Sequence, residues 1–351
     1  MDVLDIILRR YGLPPRLDPR PDDASGFLVP FNIEGREICR SVKKTHECCF
    51  TFVEGVQMQA VAIQDEMDVI AIHAGMFWLL CRLAATAAQS GVFPAFEGPV
   101  KARWMPTAER SVQMPRTLLD EGVPFDWKSE TASWITHPER QMLFLVILSI
   151  LFRFVTYHEA GHLWYDHGRR RSGGEHASIF IDRTEPSEVS SPGAIASQAR
   201  EIIADSFALE RTIKVLEREL RLKAELEMTK ILRAKLLADE KAITGFVLTM
   251  VFLYFRVSDR SNWHAVSLDT LSHPPAPFRA KAVAAALLEH RHLSISKEAA
   301  GSAVRSAAAG SEAILSVMLG IYPNLRWLDD VSTSEFDKHF NEIYDEIPQW
   351  C

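Results

Sequence analysis

Eleven consecutive residues, Met142 to Phe152 ("MLFLVILSILF"), are apolar but for Ser149, and the chain must hide them on every side. A helix that is apolar all round is the core of a sizeable protein or a membrane span. A span needs about 20 such residues, and Arg153 interrupts this run. A buried central helix is therefore predicted. Thr136 with Glu139 three residues on, and Pro138 between them, reads as a capping-box start. Gly168 is the next stop signal. A second apolar stretch, "GFVLTMVFLYF" at 245–255, is equally short, so no membrane span is expected.

The predicted central helix ends in "TYHEAGHLWYDHG". His158 and His162 stand four apart and so share one helix face. Two imidazoles placed this way can reach one ion, and Zn2+ takes such nitrogen ligands in a tetrahedral shell. Glu159 lies one residue round the helix, where it suits a general base. The chain holds 12 histidines, so the pattern gains meaning only with a helix beneath it and a third ligand. Downstream carboxylates are Asp166, Glu175, Asp182, Glu185, Glu188 and Glu201. "SSPGAIASQAREIIADSFALERTI" favours Glu201. Ser191 and Pro192 read as a helix start. Glu201 and Asp205 then share a face with Ala204 and Ala208, whose small side chains let this helix lie close to another. Asp205 is placed to orient a ligand imidazole. Glu175 and the other loop carboxylates stand as weaker rivals, and His167 and His176 read as surface or loop histidines.

HEAGH at 158–162 followed by EIIAD at 201–205 resembles the gluzincin metallopeptidases, most of all the HtpX and CAAX-prenyl-endopeptidase type. "SHPPAPFR" is similar to that family's His-Pro with Arg six residues on, here His273 and Arg279. "VQMQAVAIQDEMDVIAIHAGMFWLL" (56–80) resembles the strand pair and helix that precede the metal helix. The Lit-type phage-exclusion peptidases are a second resemblance, since they share HExxH with a following His, and His167 fits. The first resemblance implies one Zn2+ per chain held by His158, His162 and Glu201, with Glu159 as general base and Asp205 behind a ligand histidine. It implies a protein or peptide substrate, paired as an extra strand along a sheet edge near Gln57 to Ile63. His273 and Arg279 would face the developing oxyanion, with Tyr157 or Tyr165 further back. In some relatives the histidine equivalent to His273 sits on the metal and keeps the enzyme latent. A metal-binding regulatory or latent pseudo-peptidase acting through a protein partner is thus the alternative to an active zinc endopeptidase. A helical interaction protein with a chance motif is the third.

At 47% hydrophobic and 24% charged, the chain can build a large core. Its net charge of −7 gives no reason to expect nucleic acid as a partner. The N-terminus has no basic region followed by a long apolar core, so a signal peptide is not expected and a cytoplasmic protein is. Five cysteines, two of them adjacent, do not form a disulfide framework. Strand signals occupy the N-terminal third: "GFLVPFNI", "ECCFTFVEG", "MQAVAIQ" and "MDVIAIHA". Beyond them the chain reads helical. From Ala194 to Thr244 there is neither Pro nor Gly, which predicts one very long helix or two with a joint near "LRLKAELEM". The expected fold is α+β, mostly α, with a small antiparallel sheet packed on the metal helices in a zincin-like way. One catalytic domain covers 1–351, with a Pro- and Trp-rich insertion at 91–135 and a helical C-terminal extension at 296–351.

Overall fold

The computed structural model describes residues 2–19, 26–42, 47–100, 124–126, 136–171, 178–181, 191–258, 268–289, 295–319 and 322–351. The fold is α+β and mostly helical, with one small sheet. Most of the predicted insertion at 91–135 lies outside the described residues, as do Glu175, His176, Asp182, Glu185 and Glu188.

Among the described residues the sheet has five strands: β1 (Arg16–Leu17), β2 (Cys48–Val53), β3 (Ala60–Gln64), β4 (Asp68–His73) and β5 (Ser178–Ile181), in the order β1-β2-β4-β3-β5. It is mixed rather than antiparallel. β3 and β4 form an antiparallel hairpin, but β4 then pairs in parallel with β2, Cys48 opposite Asp68 through Val53 opposite His73. The reason lies in burial. One face carries Phe50, Phe52, Ala60, Ala62, Ile70 and Ile72 into the main core. The other carries Val53, Val61, Ile63, Val69 and Ala71 against Leu4, Ile7 and Leu8 of helix α1 (Val3–Arg10). Strands covered on both faces read as unbroken apolar runs, which suits parallel pairing. β3 is consequently an interior strand between β4 and β5, so the substrate edge expected near Gln57 to Ile63 is not an edge.

"GFLVPFNI" is helical, not a strand. It forms a short 3-10 turn (Gly26–Leu28) and the start of α2 (Val29–Val42). Pro30 explains this, since it fits a first helical turn but cannot donate to a sheet ladder. Phe31, Gly35, Ile38, Cys39 and Val42 make its buried stripe. Gly35 is required there, because a Cβ would fall 2.5 Å from the Phe50 ring of β2.

α3 (Ala74–Gln89) follows β4, and α4 (Pro138–Trp164) is the central helix, 27 residues long and buried nearly all round. Its N-cap is His137 with no side-chain cap bond, so the Thr136 capping box does not form. Glu139 instead pairs with Lys235 and accepts from the Glu97 amide. The helix stops at Tyr165 rather than Gly168, because Asp166 takes a left-handed conformation at φ 54°, one that Asp tolerates better than most residues. The chain then turns into the short α5 (His167–Arg171). Arg153 is buried and pairs with Glu34 of α2 and with Glu219, the latter at 2.8 Å. That is how a charge is accommodated inside this helix.

α6 (Ser191–Leu222) begins where the Ser-Pro pair predicts, and the chain breaks at 223–226 before α7 (Glu227–Lys235). α8 (Glu240–Ser258) carries the second apolar run and packs Tyr254 and Phe255 on Phe154 of α4. By length and composition α4 and α8 are both long enough to cross a membrane, contrary to the shortness of their apolar cores; 78% and 72% of their most apolar windows are buried inside the fold. α9 (Ala276–Glu289), α10 (Lys297–Leu319) and α11 (Ser334–Glu346) complete it. In the C-terminal region α10 buries Ala300, Ala303, Ile314 and Leu315, and α11 buries Ile343.

Candidate metal centre

α4 and α6 cross at Gly161. A Cβ on Gly161 would lie 3.1 Å from Ala204 Cα and 3.4 Å from Ala204 Cβ. Gly161 and the buried Ala204 and Ala208 therefore allow the close approach predicted from the small-residue stripe. The crossing puts the last two turns of α4 opposite Glu201 and Asp205.

His158, His162 and Glu201 converge there, each at most 4% exposed. The two Nε2 atoms are 3.2 Å apart. His158 Nε2 is 3.3 Å from Glu201 Oε2, and His162 Nε2 is 3.5 Å from Oε1. A tetrahedral ion with bonds of 2.0–2.1 Å separates its ligand atoms by about 3.4 Å. Each histidine nitrogen thus lies about that far from the other and from one of the two Glu201 oxygens, and the donors, two imidazole nitrogens and a carboxylate, are of the right chemistry. These residues can hold a metal ion.

Both histidine donors are backed. His158 Nδ1 is 2.9 Å from Asp205 Oδ1. Asp205 in turn accepts from Arg279 Nε at 2.8 Å and Nη2 at 2.7 Å. Arg279 was expected at an oxyanion; it is turned to Asp205 instead. Burial alone would lift the Asp205 carboxyl, but the Arg279 charge and hydrogen bonds outweigh it and hold the group below its ordinary range. Burial likewise opposes ionisation of Glu201, and the surrounding histidines hold it well below. His162 is pushed well down by burial. At His158 burial is overcome by the hydrogen bonds and charges of Asp205 and Glu201, which raise it well above normal. Two carboxylates and one raised imidazole mean that the cluster favours positive charge at its centre.

His167, expected at the surface, is fully buried. The left-handed turn at Asp166 swings it back under the metal helix, where its Nδ1 meets His162 Nδ1 at 2.9 Å. Burial pushes its pKa down to about 3. Tyr165 stacks on its ring at 5.7 Å. Tyr157 packs on Phe207, with its hydroxyl toward Ser41 of α2. Asp166, a rival third ligand, bonds Gln64 and Arg169 instead.

His273 comes from the segment before α9. Its Nε2 is 3.6 Å from Glu201 Oε2 and its Nδ1 2.9 Å from Ser272 Oγ. Sequence reasoning missed the anchor of that segment: Gln198, one turn before Glu201, donates to the Leu268 and Leu271 carbonyls at 2.8 and 2.9 Å and is itself held by His339. Its position three residues before Glu201, on the same face of the helix, was the available signal. A cavity of about 390 Å³ is lined by Tyr165, Ile202, Phe207, Ile347 and Cys351 among others, and by none of His158, Glu159, His162, Glu201 and His273.

No family model matches this chain, and no curated protein or solved structure matches it either.

Proposed function

We propose that this chain is a zinc-dependent metallopeptidase of the gluzincin kind. The observation that carries the reading is the buried triangle of His158, His162 and Glu201 with Glu159 on the next position of the same helix. A zinc ion held by these residues would supply Lewis acidity for the scissile carbonyl and lower the pKa of water toward neutrality. Glu159 accepts that proton and returns it to the leaving amine. Asp205 keeps His158 in the tautomer with Nε2 free to bind, and Arg279 keeps Asp205 ionised. His273, at the rim of the donor set and partly exposed, donates toward the carbonyl oxygen as charge develops. The substrate is a protein or peptide. The proposal includes a cytoplasmic chain with no membrane span, supported by the burial of α4 and α8.

One observation favours a second reading, a latent or regulatory metal protein: the donors are almost wholly buried. Metal analysis and a peptide-library digest test both. About one zinc per chain, removable by a chelator, is expected. Glu159→Gln should keep the metal and lose at least ~10²-fold in activity. A chain with no bound metal would remove both readings. Zinc without cleavage by the wild type would leave the second.

A further inference from the structure

His162 has two ring nitrogens and both are engaged. Nε2 faces His158 and Glu201, and Nδ1 faces His167 Nδ1 at 2.9 Å. Two nitrogens that face one another share a hydrogen bond only if one carries the hydrogen. On the metal-centre reading, on which this inference rests, Nε2 of His162 keeps its lone pair for the ion, so the hydrogen sits on Nδ1. His167 Nδ1 must then accept, and the hydrogen of a neutral His167 moves to Nε2. The Trp350 main chain lies within reach of the His167 ring.

Ile347–Cys351 is tied down round that point. The Trp350 ring meets the His167 ring edge-on at 6.2 Å. Arg200, the residue before Glu201, stacks over the same indole at 4.4 Å. Trp350 Nε1 donates to Glu346 at 2.9 Å, and Arg170 donates to the Gln349 and Cys351 carbonyls at 3.3 Å. One indole thus touches the residue behind His162 and the neighbour of Glu201, ligands supplied by two different helices.

We infer that Trp350 is a positioning residue of the metal centre, setting the His162 imidazole through His167 and clamping α5 to α6. A ligand imidazole that donates its second nitrogen to a fixed partner is held in tautomer and orientation, and loss of such a partner weakens metal binding about 10- to 100-fold.

The test is zinc affinity of the full chain, by competition with a chromophoric chelator, together with the visible spectrum of the cobalt-loaded protein. His167→Leu should raise the zinc Kd about 10- to 100-fold. His167→Gln, whose amide oxygen can accept from His162, should recover most of that. Trp350→Ala should weaken zinc about tenfold and shift the cobalt bands, while Trp350→Phe, which keeps a ring, stays near wild type. Tyr344→Ala, exposed on α11 and packed on Phe340, is the control and should not move Kd. Where His167→Leu does not fold, the Trp350 pair decides. Wild-type affinity in Trp350→Ala, or equal weakening by Trp350→Ala and Tyr344→Ala, overturns the inference. If the wild type takes up no zinc, the metal-centre reading itself falls, and this inference with it, an outcome distinct from a zinc-binding wild type whose tail variants bind equally well.

Discussion

Gly161→Ala separates the stability of the fold from the geometry of the metal centre. The added Cβ would sit 3.1 Å from Ala204 Cα. Carbon atoms prefer 3.5–4.0 Å, so α4 and α6 must part by roughly half an ångström at their crossing. Overpacking of this size costs about 1–3 kcal/mol. Replacing a mid-helix glycine by alanine returns about 1 kcal/mol in helix propensity. The net effect on folding is therefore small, about 0–2 kcal/mol destabilising. The ion is far less forgiving. His158 and His162 ride on α4 and Glu201 on α6, and workable bond lengths lie within about ±0.2 Å. A separation of half an ångström stretches the Glu201 bond beyond that. Zinc affinity should fall at least tenfold while the metal-free protein unfolds at nearly the same denaturant concentration. Chelator competition and urea unfolding measure the two quantities. A variant that binds zinc like wild type would show that the crossing is not what sets the donor triangle. A variant that loses more than about 4 kcal/mol of stability would show that the helices cannot relax at all.

Three further changes test other parts of the account. Glu201→Ala should lose the metal, since a three-ligand site becomes a two-ligand one; a full equivalent of zinc after dialysis would transfer the third ligand to another residue. Arg153→Met should destabilise by about 1–3 kcal/mol, because Glu34 and Glu219, both partly exposed, lose the buried cation between them; a urea midpoint within error of wild type would refute that. His73 is buried and its pKa is held down to about 4, so the unfolded chain binds more protons than the folded one between about pH 4 and pH 6.5. Stability should therefore drop by about 2–3 kcal/mol from pH 7 to pH 4.5 on account of this residue. His73→Gln should flatten that part of the urea-midpoint profile, and an unchanged acid slope would exonerate His73.

The chain's local spacing already contained the central helix, the face shared by His158 and His162, the second helix with Glu201 and Asp205, and the alanines that let it approach. These follow from 3.6 residues per turn and from side-chain volume, which are properties of neighbours in sequence. Pro30 also carried the signal that "GFLVPFNI" is helical, outweighed there by its apolar neighbours. What spacing did not contain is which elements meet. β4 enters between β2 and β3 and pairs in parallel with β2, which makes the sheet mixed, while β5 covers the outer edge of β3; both faces of that sheet find cover. His167 looks like a loop residue until the left-handed Asp166 folds it beneath His162. Arg279 could face any anion within reach, and packing of α9 on α6 gives it Asp205. Trp350 comes within touch of His167 from 183 positions away. Such contacts depend on how whole helices dock, where the free energy comes from burial summed over many side chains, and no short stretch of sequence encodes that sum.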